Sequence, residues 1–327
     1  MRRPPTIKDV AAKAGVTVTT VSRFLNRRGY MSDATRTRIQ QAMAELDYVP
    51  NEIARSLLRR RSSIIGLIIP TANHPFFGQL TASIEARAYE AGYKLMLCDS
   101  RMDSEKESQY IDMLIRHKVD GIIMASHTLH VDQYLRIGMP VVSMDRRIAQ
   151  SIPFVTSDNA AGGRLATRRL VERGCRKLAF FSGKVNPALL PSQRVEAFVA
   201  EARAADLPSL IVQTGEDVFD FTQYETLVNQ LFQEHPDVDG VVASDVKAGH
   251  VLQACRRLGR RVPEDVRVVG YDDILLASLL VPRLTTIHQP IEEMASCAVD
   301  ILVAQIAGKT VPMENVLPVS LVVRESA

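Results

Sequence analysis

The first sixty residues carry apolar side chains at helical spacing. Thr6 and Asp9 have the spacing of a helix N-cap followed by an acidic residue in the first turn. Apolar residues then recur on one helical face, at Val10, Ala11 and Ala14. Gly15 is expected to end this helix, because glycine adopts the left-handed conformation of a helix C-terminus. The pattern therefore predicts a short amphipathic helix after Thr6.

Two further helices follow. Thr17 is a suitable N-cap for a helix from Val18 to about Leu25, which would turn Val21 and Leu25 inward. A third helix is expected to start near Ser32. Its apolar stripe has i, i+3, i+4, i+7 spacing and comprises Ile39, Ala42, Met43 and Leu46. Two short helices joined by a glycine-containing turn, with a third beside them, are typical of a helix-turn-helix.

Beyond residue 63 the pattern changes to short apolar runs separated by helical stretches. These runs are residues 64–69, 94–98, 121–125, 141–144, 177–181, 240–243 and 266–269. Alternation of this kind predicts parallel sheets of the doubly wound type, and some 260 residues predict two lobes. Because ligands of open α/β sheets bind beyond the carboxyl ends of the strands, functional side chains are expected just after these runs.

Charge is distributed unevenly along the 327 residues, whose formal net charge is +3. Residues 1–61 hold thirteen Lys/Arg and five Asp/Glu, whereas the remainder holds 27 Lys/Arg and 32 Asp/Glu. Positive charge concentrated in a small N-terminal helical region is typical of nucleic-acid binding. A solvated basic tail would not need the apolar helical faces described above.

Composition excludes several classes of protein. The longest strongly apolar run, residues 64–69, is too short to span a bilayer, and no apolar segment of a signal peptide follows the first residues. A cytoplasmic protein is expected. The four cysteines are at least forty residues apart and no Cys/His cluster has metal-ligand spacing, so no metal or other cofactor is expected.

The second helix is the candidate recognition helix. With Val21 and Leu25 inward, its outward side chains are Val18, Thr19, Ser22 and Arg23. Arg23 can donate two hydrogen bonds to a guanine, and apolar atoms of Val18 and Thr19 can contact thymine methyl groups. Arg36 and Arg38 are suited to phosphate contacts. The alternative is a surface helix bundle without a ligand, which the excess of positive charge disfavours.

Several motifs in this region resemble the LacI/GalR family of bacterial repressors. They are TIKDVAAKAGVT from Thr6, TVSR from Thr20 and YVPN from Tyr48. The resemblance implies that Thr6, Asn26 and Asn51 also contact DNA. It implies a helix-turn-helix domain over residues 1–49 and a dimer bound to a palindromic operator.

Residues 50–63 are expected to form a hinge. They read as a short helix, unstable alone, followed by a basic linker. The family resemblance implies that Leu57 inserts into the minor groove as an apolar wedge and that Ala54 contacts the same groove. A second subunit would supply the packing partner that this segment lacks.

The same resemblance covers nearly the whole chain and implies an α/β core of the periplasmic-binding-protein type I fold over residues 64–327. Three crossovers would divide it into an N-lobe, residues 64–157 and 288–316, and a C-lobe, residues 158–287 and 317–327. Late motifs similar to the family's are GYDD from Gly270 and LTTIHQP from Leu284.

Residue-by-residue carry-over from the family implies five effector contacts: Phe77, Asp145, Arg194, Asp245 and Asp272. Carboxylates and a guanidinium can hydrogen-bond sugar hydroxyls, while an aromatic face packs on the C–H edge of the ring, so a sugar or sugar phosphate is expected. Read singly, Asp145 and Asp272 could instead cap helices, Phe77 could belong to the core, and Arg194 could be a solvated helix residue. The chain departs from the family at Ala197, where glycine is common, and at Ser244, where asparagine is common.

Within the family, the chain most resembles sucrose-operon repressors, with ribose-operon repressors second. The shared segments are NRRGY from Asn26, SHTL from Ser126, Asp145-Arg146 and SDNAAGGRLA from Ser157. A catabolic operon for sucrose or fructose is therefore the first expectation and one for ribose the second. The sequence ends without a leucine heptad, so a dimer is expected rather than a tetramer.

Two other functions would suit paired α/β lobes. An enzyme is disfavoured because no GxGxxG follows a strand, no GxSxG or HExxH motif is present, and Val303 replaces the first glycine of a phosphate loop ending at Thr310. A transport binding protein shares the expected fold, but its N-terminus would carry an export signal rather than a DNA-binding domain.

Overall fold

The computed structural model describes residues 3–26, 29–49, 61–126, 128–183, 189–214 and 221–327. The chain divides into two compact units, residues 1–62 and residues 63–327. Three of the predicted DNA contacts, Asn51, Ala54 and Leu57, lie outside the described residues.

The first unit contains the three predicted helices. They are α1 (Ile7–Ala14), α2 (Val18–Leu25) and α3 (Asp33–Glu45). Gly15 ends α1 with a φ of 64°, as predicted, and Ser32 Oγ accepts a hydrogen bond from Thr35 N (3.4 Å) at the start of α3. The prediction of a helix-turn-helix with a third supporting helix is therefore confirmed.

A small apolar core holds these helices together. Its buried members come from all three helices and are Val10, Ala11, Ala14, Val21, Ile39 and Ala42. An exposed ion pair between Lys13 Nζ and Glu45 (2.7 Å) adds a polar contact between α1 and α3. A surface pair of this kind contributes little to stability, so apolar packing is the main source of stability.

The second unit contains two sheets, built from strands that nearly all pair in parallel. In chain order the strands are β1 (Ile64–Ile69), β2 (Lys94–Asp99), β3 (Gly121–Met124), β4 (Val141–Met144), β5 (Phe154–Ser157), β6 (Leu178–Ser182), β7 (Ser209–Gln213), β8 (Gly240–Val242), β9 (Arg267–Asp272), β10 (Thr285–His288), β11 (Glu314–Leu317) and β12 (Ser320–Val322). The first sheet has the order β11-β5-β4-β3-β1-β2 and the second the order β12-β10-β9-β8-β6-β7. Only β12 pairs antiparallel within these described strands, on the edge next to β10.

Helices connect these strands and cover the sheets. In chain order they are α4 (Pro75–Glu90), α5 (Ser104–Arg116), α6 (Val131–Leu135), α7 (Asn159–Glu172), α8 (Ser192–Ala204), α9 (Phe221–Glu234), α10 (Asp245–Arg257), α11 (Leu275–Leu279) and α12 (Ile291–Ile306). Parallel strands need such crossovers, and both faces of the resulting sheets are buried. The prediction of two doubly wound lobes is confirmed.

The chain passes between the lobes three times. It leaves the first sheet after β5, returns after β10 to form α12 and β11, and leaves again to form β12. Helix α12 packs with α4 and against β3, β4 and β5, so a late segment of the chain covers the first sheet. Ile274 also belongs to this first-lobe apolar cluster, so the lobes contact each other beside the carboxyl end of β9.

Candidate functional site

The candidate recognition helix α2 presents the predicted side chains to solvent. Val18 is 40% exposed, and Thr19 and Arg23 are also exposed, whereas Val21 is fully buried. Burial of one face fixes the rotation of the helix, so the opposite face is available to a ligand. The arrangement is that of a helix able to enter a major groove by its N-terminal end.

The remaining predicted contacts in the first unit have different local roles. Ser22 and Asn26 are half-buried and bond to each other, with Asn26 Nδ2 donating to Ser22 Oγ (3.4 Å). Thr6 belongs to a capping box, in which its backbone N and its hydroxyl both donate to Asp9 Oδ2 (2.7 Å each). Arg36 is exposed in the first turn of α3, where it is free to reach a phosphate.

In the core unit, two of the predicted effector carboxylates lie at strand ends. Asp145 follows β4 in the first lobe, and Asp272 is the last residue of β9 in the second. Both residues have positive φ, 58° for Asp145 and 118° for Asp272. Few residues other than glycine adopt such a conformation, and it is retained where the surrounding structure requires a particular side-chain position.

Hydrogen bonds connect the two carboxylates through side chains of both lobes. Thr156 Oγ1 donates to Asp145 Oδ1 (2.7 Å) and accepts from Asn159 Nδ2 (2.9 Å). Arg194 Nε donates to Asn159 Oδ1 (2.5 Å), and Arg194 Nη2 donates to Gln289 Oε1 (3.2 Å). These side chains form a continuous polar chain that continues through Gln289 to the second carboxylate.

Gln289 completes this polar chain. Its Nε2 donates to Asp272 Oδ1 (2.7 Å), and its Oε1 also accepts from Ser157 Oγ (2.6 Å). Ser157 ends β5 and Gln289 follows β10, so the chain spans the region where strands leave one lobe for the other. A network with most partners satisfied fixes the orientation of its members, including the two carboxylates.

Arg194 is held in place by stacking as well as by hydrogen bonds. Its guanidinium lies 3.8 Å from the centroid of the Tyr271 ring, a cation–π contact. Gly162 and Gly163 permit this packing, since a Cβ at Gly162 would overlap Tyr271 and one at Gly163 would overlap the backbone of Arg194. The pair of glycines in α7 therefore brings α8 and Tyr271 close enough to position the guanidinium.

The electrostatics of the region combine burial with opposite charges. Burial raises the pKa of Asp145, and the Arg194 guanidinium opposes that shift. Burial also raises the pKa of Asp272, with Arg194 and the Gln289 hydrogen bond acting in the opposite direction. Carboxylate oxygens accept hydrogen bonds and the guanidinium donates them, a combination that suits a polyhydroxylated ligand.

Asp245 and Phe77 differ from the other predicted contacts. Asp245 is fully buried, and its oxygens accept from Thr286 Oγ1 (2.6 Å) and Ile274 N (2.9 Å). Its carboxylate therefore links β10 to the residue that precedes α11. Asp245 thus has a structural role in holding these two elements together. Phe77 is half-buried, packs against the first-lobe core and makes an edge contact with Phe76 (5.2 Å between centroids).

Sequence reasoning did not select three residues that the structure brings to this region: Asn159, Gln289 and Lys247. Asn159 and Gln289 are almost fully buried and follow strands β5 and β10, a position that could have identified them. Lys247 lies in the first turn of α10 and gives no sequence signal of burial. Ala197, one of the two departures from the family pattern, faces Gly163 at the α7–α8 contact rather than the polar chain.

Comparison with known proteins places this arrangement in a family. The model of the bacterial regulatory proteins of the lacI family matches residues 6–51, and that of the periplasmic binding protein-like domain matches residues 167–327. A ribose operon repressor of Halalkalibacterium halodurans is 38% identical over 98% of this chain and 96% of its own length. The chain belongs to the LacI family. A sucrose operon repressor of Streptococcus mutans is 37% identical over 98% of each chain.

Solved structures of LacI-family proteins agree with this assignment. The lac repressor dimer bound to operator and to the anti-inducer ONPF has a TM-score of 0.87 at 26% identity and covers 99% of each chain. A LacI regulator of Alkaliphilus metalliredigens in complex with D-xylulofuranose has a TM-score of 0.72 at 33% identity, covering 81% of this chain and 98% of that one. The protein is accordingly a sugar-responsive repressor of the LacI family, a class of regulators rather than enzymes.

The length and polarity of the helices can be compared with those of membrane-spanning helices. Across the described ranges, every helix is too short or too polar to cross a lipid bilayer.

Proposed function

We propose that α2 reads the major groove of a palindromic operator, one half-site for each subunit of a dimer. Val18, Thr19, Ser22 and Arg23 supply the base-edge contacts, with Arg23 directed at a guanine. Thr6, Asn26 and Arg36 contact the phosphate backbone around them. The exposure of Arg23 beside the buried Val21 supports this orientation.

The hinge contributes the second part of the interface. Domain limits of 1–49 for the head, 50–63 for the hinge and 64–327 for the core follow the family pattern. Asn51, Ala54 and Leu57 take the minor-groove roles, with Leu57 as the wedge that unstacks a base step. A protein that binds DNA in this way acts in the cytoplasm.

We propose that the effector is a sugar bound between the lobes against the polar chain. Asp145, Arg194 and Asp272 hydrogen-bond its hydroxyl groups, and Phe77 packs against its ring. The continuous hydrogen-bonded connection from Asp145 to Asp272 is the observation that carries this proposal. Asp245 acts through Thr286 and Ile274 as a support rather than as a direct contact.

The relatives of the chain suggest the ring size of the effector. Sucrose contains a fructofuranosyl unit, and ribose and D-xylulofuranose also form five-membered rings, so a furanose is the shared chemistry. A sucrose- or fructose-type catabolic operon is the first candidate target and a ribose operon the second.

The effector controls DNA affinity by shifting a two-state equilibrium of the core. A sugar that contacts both lobes favours the lobe arrangement in which all its contacts form, and it shifts the equilibrium only by its differential affinity for the two states. In the induced state the two hinge segments of the dimer no longer pair on DNA. A coupling of about 1–3 kcal/mol changes operator affinity by roughly 5- to 150-fold.

One experiment tests this proposal on the full-length protein. An operator is selected from a random DNA library, and its affinity is measured by fluorescence anisotropy with and without sucrose, D-fructose, D-ribose and their phosphates. Release of the palindromic operator by one of these sugars supports the proposal. Operator binding that none of them alters contradicts it.

A further inference from the structure

Lys247 is a buried cation at the positive end of a helix. It lies in the first turn of α10, and the whole residue is only 8% exposed. The helix macrodipole disfavours a cation at this end, and burial disfavours it further. The helix dipole and the burial therefore both disfavour the positive charge of this lysine.

The ammonium has no hydrogen-bond acceptor or ion-pair partner among the described residues. Its contact there is the Tyr224 ring, whose centroid lies 5.0 Å from Nζ. A cation–π contact leaves the three N–H donors of an ammonium unsatisfied. Lysines buried to this degree are normally paired, so the absent partner is the feature that needs an explanation.

The charged groups around Lys247 come from both lobes. Asp272 at the end of β9 attracts it without forming an ion pair, and the Arg194 guanidinium of α8 repels it. His74, the N-cap residue of α4 in the first lobe, has its pKa lowered to about 4 by burial and by the charge of Lys247. The ammonium is therefore near enough to charged side chains of both lobes to interact with them electrostatically, including the carboxylate at one end of the polar chain.

These neighbours include a carboxylate, but none of them forms an ion pair with the Lys247 ammonium. Burial lowers the pKa of Lys247 to about 8, so at neutral pH the side chain remains charged at a cost to the folded state. An apolar residue of the same length would avoid that cost. A negatively charged group bound beside the ammonium would also remove it.

We propose that Lys247 binds an anionic substituent, a phosphate or a carboxylate, on the effector sugar. The inference rests on the proposed function and specifies its ligand: the sugar hydroxyls contact Asp145, Arg194 and Asp272, and the anionic group lies against the Lys247 ammonium and the first turn of α10. Backbone N–H groups at a helix N-terminus favour an anion for the same electrostatic reason that they disfavour Lys247 alone.

The test is isothermal titration calorimetry on the full-length protein with neutral and charged ligands. The neutral probes are D-fructose and D-ribose. The charged probes are D-fructose 6-phosphate, D-ribose 5-phosphate and the carboxylate 2-keto-D-gluconate. We expect at least one charged sugar to bind at least tenfold more tightly than the neutral ones, and the phosphate and carboxylate arms identify the anion.

Substitution of Lys247 then tests whether this side chain causes the difference in affinity between charged and neutral sugars. In Lys247→Met the charged sugar should lose roughly 10- to 100-fold in affinity, as expected for a hydrogen-bonded charge pair, while a neutral sugar loses little. Lys309→Met, at an exposed lysine after α12, is the matched control and should bind as the unaltered protein does. Operator binding by Lys247→Met verifies that the variant is folded.

A pH series provides a readout that a purely structural role would not change. A sugar phosphate is fully dianionic above pH 7, since its second pKa is about 6. Its affinity for the unaltered protein should fall by up to tenfold per pH unit above about pH 8, as Lys247 loses its proton, and should be flat in Lys247→Met.

The outcomes separate the two proposals. Neutral sugars that bind as tightly as charged ones and are unaffected by Lys247→Met would overturn the anionic site and leave the sugar-responsive function intact. If no neutral or charged sugar binds, both proposals are wrong.

Discussion

Gln289 Nε2 lies 2.7 Å from Asp272 Oδ1 and donates a hydrogen bond to it. Because the Oε1 of the same amide accepts from Arg194, one side chain orients both the Asp272 carboxylate and the Arg194 guanidinium. Gln289 follows β10, where the chain returns to the first lobe, so the orientation of these two groups depends on the packing of that crossover. The amide is thus a positioning group for the site.

Gln289→Leu should weaken effector binding by roughly 10- to 100-fold, because a hydrogen bond to a charged group contributes about 1.5–3 kcal/mol and its loss also frees Arg194 to move. Calorimetry with the sugar that releases the operator in the anisotropy experiment measures the change. Gln253→Leu, at an exposed position of α10, is the control. Equal affinities of the Gln289→Leu variant and the unaltered protein would show that Gln289 does not position the site.

Asp272→Ala should bind its operator normally and fail to respond to the effector, which gives a super-repressed phenotype. The carboxylate lies in the core unit, so its removal leaves α2 and the hinge unchanged. Operator titrations with and without the sugar measure the response. Release of DNA at the same sugar concentration as the unaltered protein would contradict the assignment of Asp272 to the site.

Arg23→Ala should remove base discrimination, with a loss of roughly 1–3 kcal/mol per half-site on the operator and little loss on random DNA. Arg36→Ala is the matched comparison. Because Arg36 is proposed to contact a phosphate, its removal should weaken binding to operator and to random DNA alike. It should also reduce the salt dependence of binding. Anisotropy titrations on operator and scrambled DNA distinguish the two patterns, and a uniform loss in the first variant would remove Arg23 from base reading.

Lys247→Met should stabilise the ligand-free core at neutral pH. The pKa of Lys247 is lowered from an ordinary value of 10.5 to about 8 by burial, which corresponds to about 3 kcal/mol against folding while the side chain is protonated. Between pH 8 and 10.5 the unfolded chain holds one more proton than the folded chain, so the free energy of unfolding rises with pH over that range.

The Lys247→Met variant lacks this pH dependence of the free energy of unfolding. Urea unfolding should therefore show an excess stability of Lys247→Met over the unaltered protein of up to about 3 kcal/mol at pH 7, declining as the pH approaches 10.5. Lys309→Met should show no such difference. An unchanged midpoint at pH 7 would mean that the buried ammonium is compensated within the protein.

Regular periodicity allowed much of the fold to be predicted from the sequence. Helix α2 has the predicted bounds, and each of the seven apolar runs overlaps a strand. The strands that the sequence did not predict are β5, β7, β10, β11 and β12. Most are short, and β11 and β12 are edge strands without a fully buried residue, so they lack the continuous apolar run of a buried parallel strand.

The site was predicted less completely, for a physical reason. Sequence motifs were enough to select Asp145 and Arg194 as candidate site residues. They did not predict the different surroundings of Asp245 and Lys247. Both lie in the first turn of α10, where an acid would be expected as a ligand contact and a lysine as a solvated residue. Tertiary packing directs the acid to Thr286 and leaves the lysine buried without a partner among the described residues, and no local pattern encodes that outcome.

The late position of α12 has a consequence for synthesis of the protein. Met294, Ala298 and Leu302 of this helix complete the apolar core over β3, β4 and β5, but they follow β5 in the chain by more than a hundred residues. At 5–20 residues per second the ribosome needs on the order of ten seconds to reach them. During that interval the nascent first lobe lacks the helix that covers this face of its sheet, and exposed apolar surface of that kind is what chaperones bind.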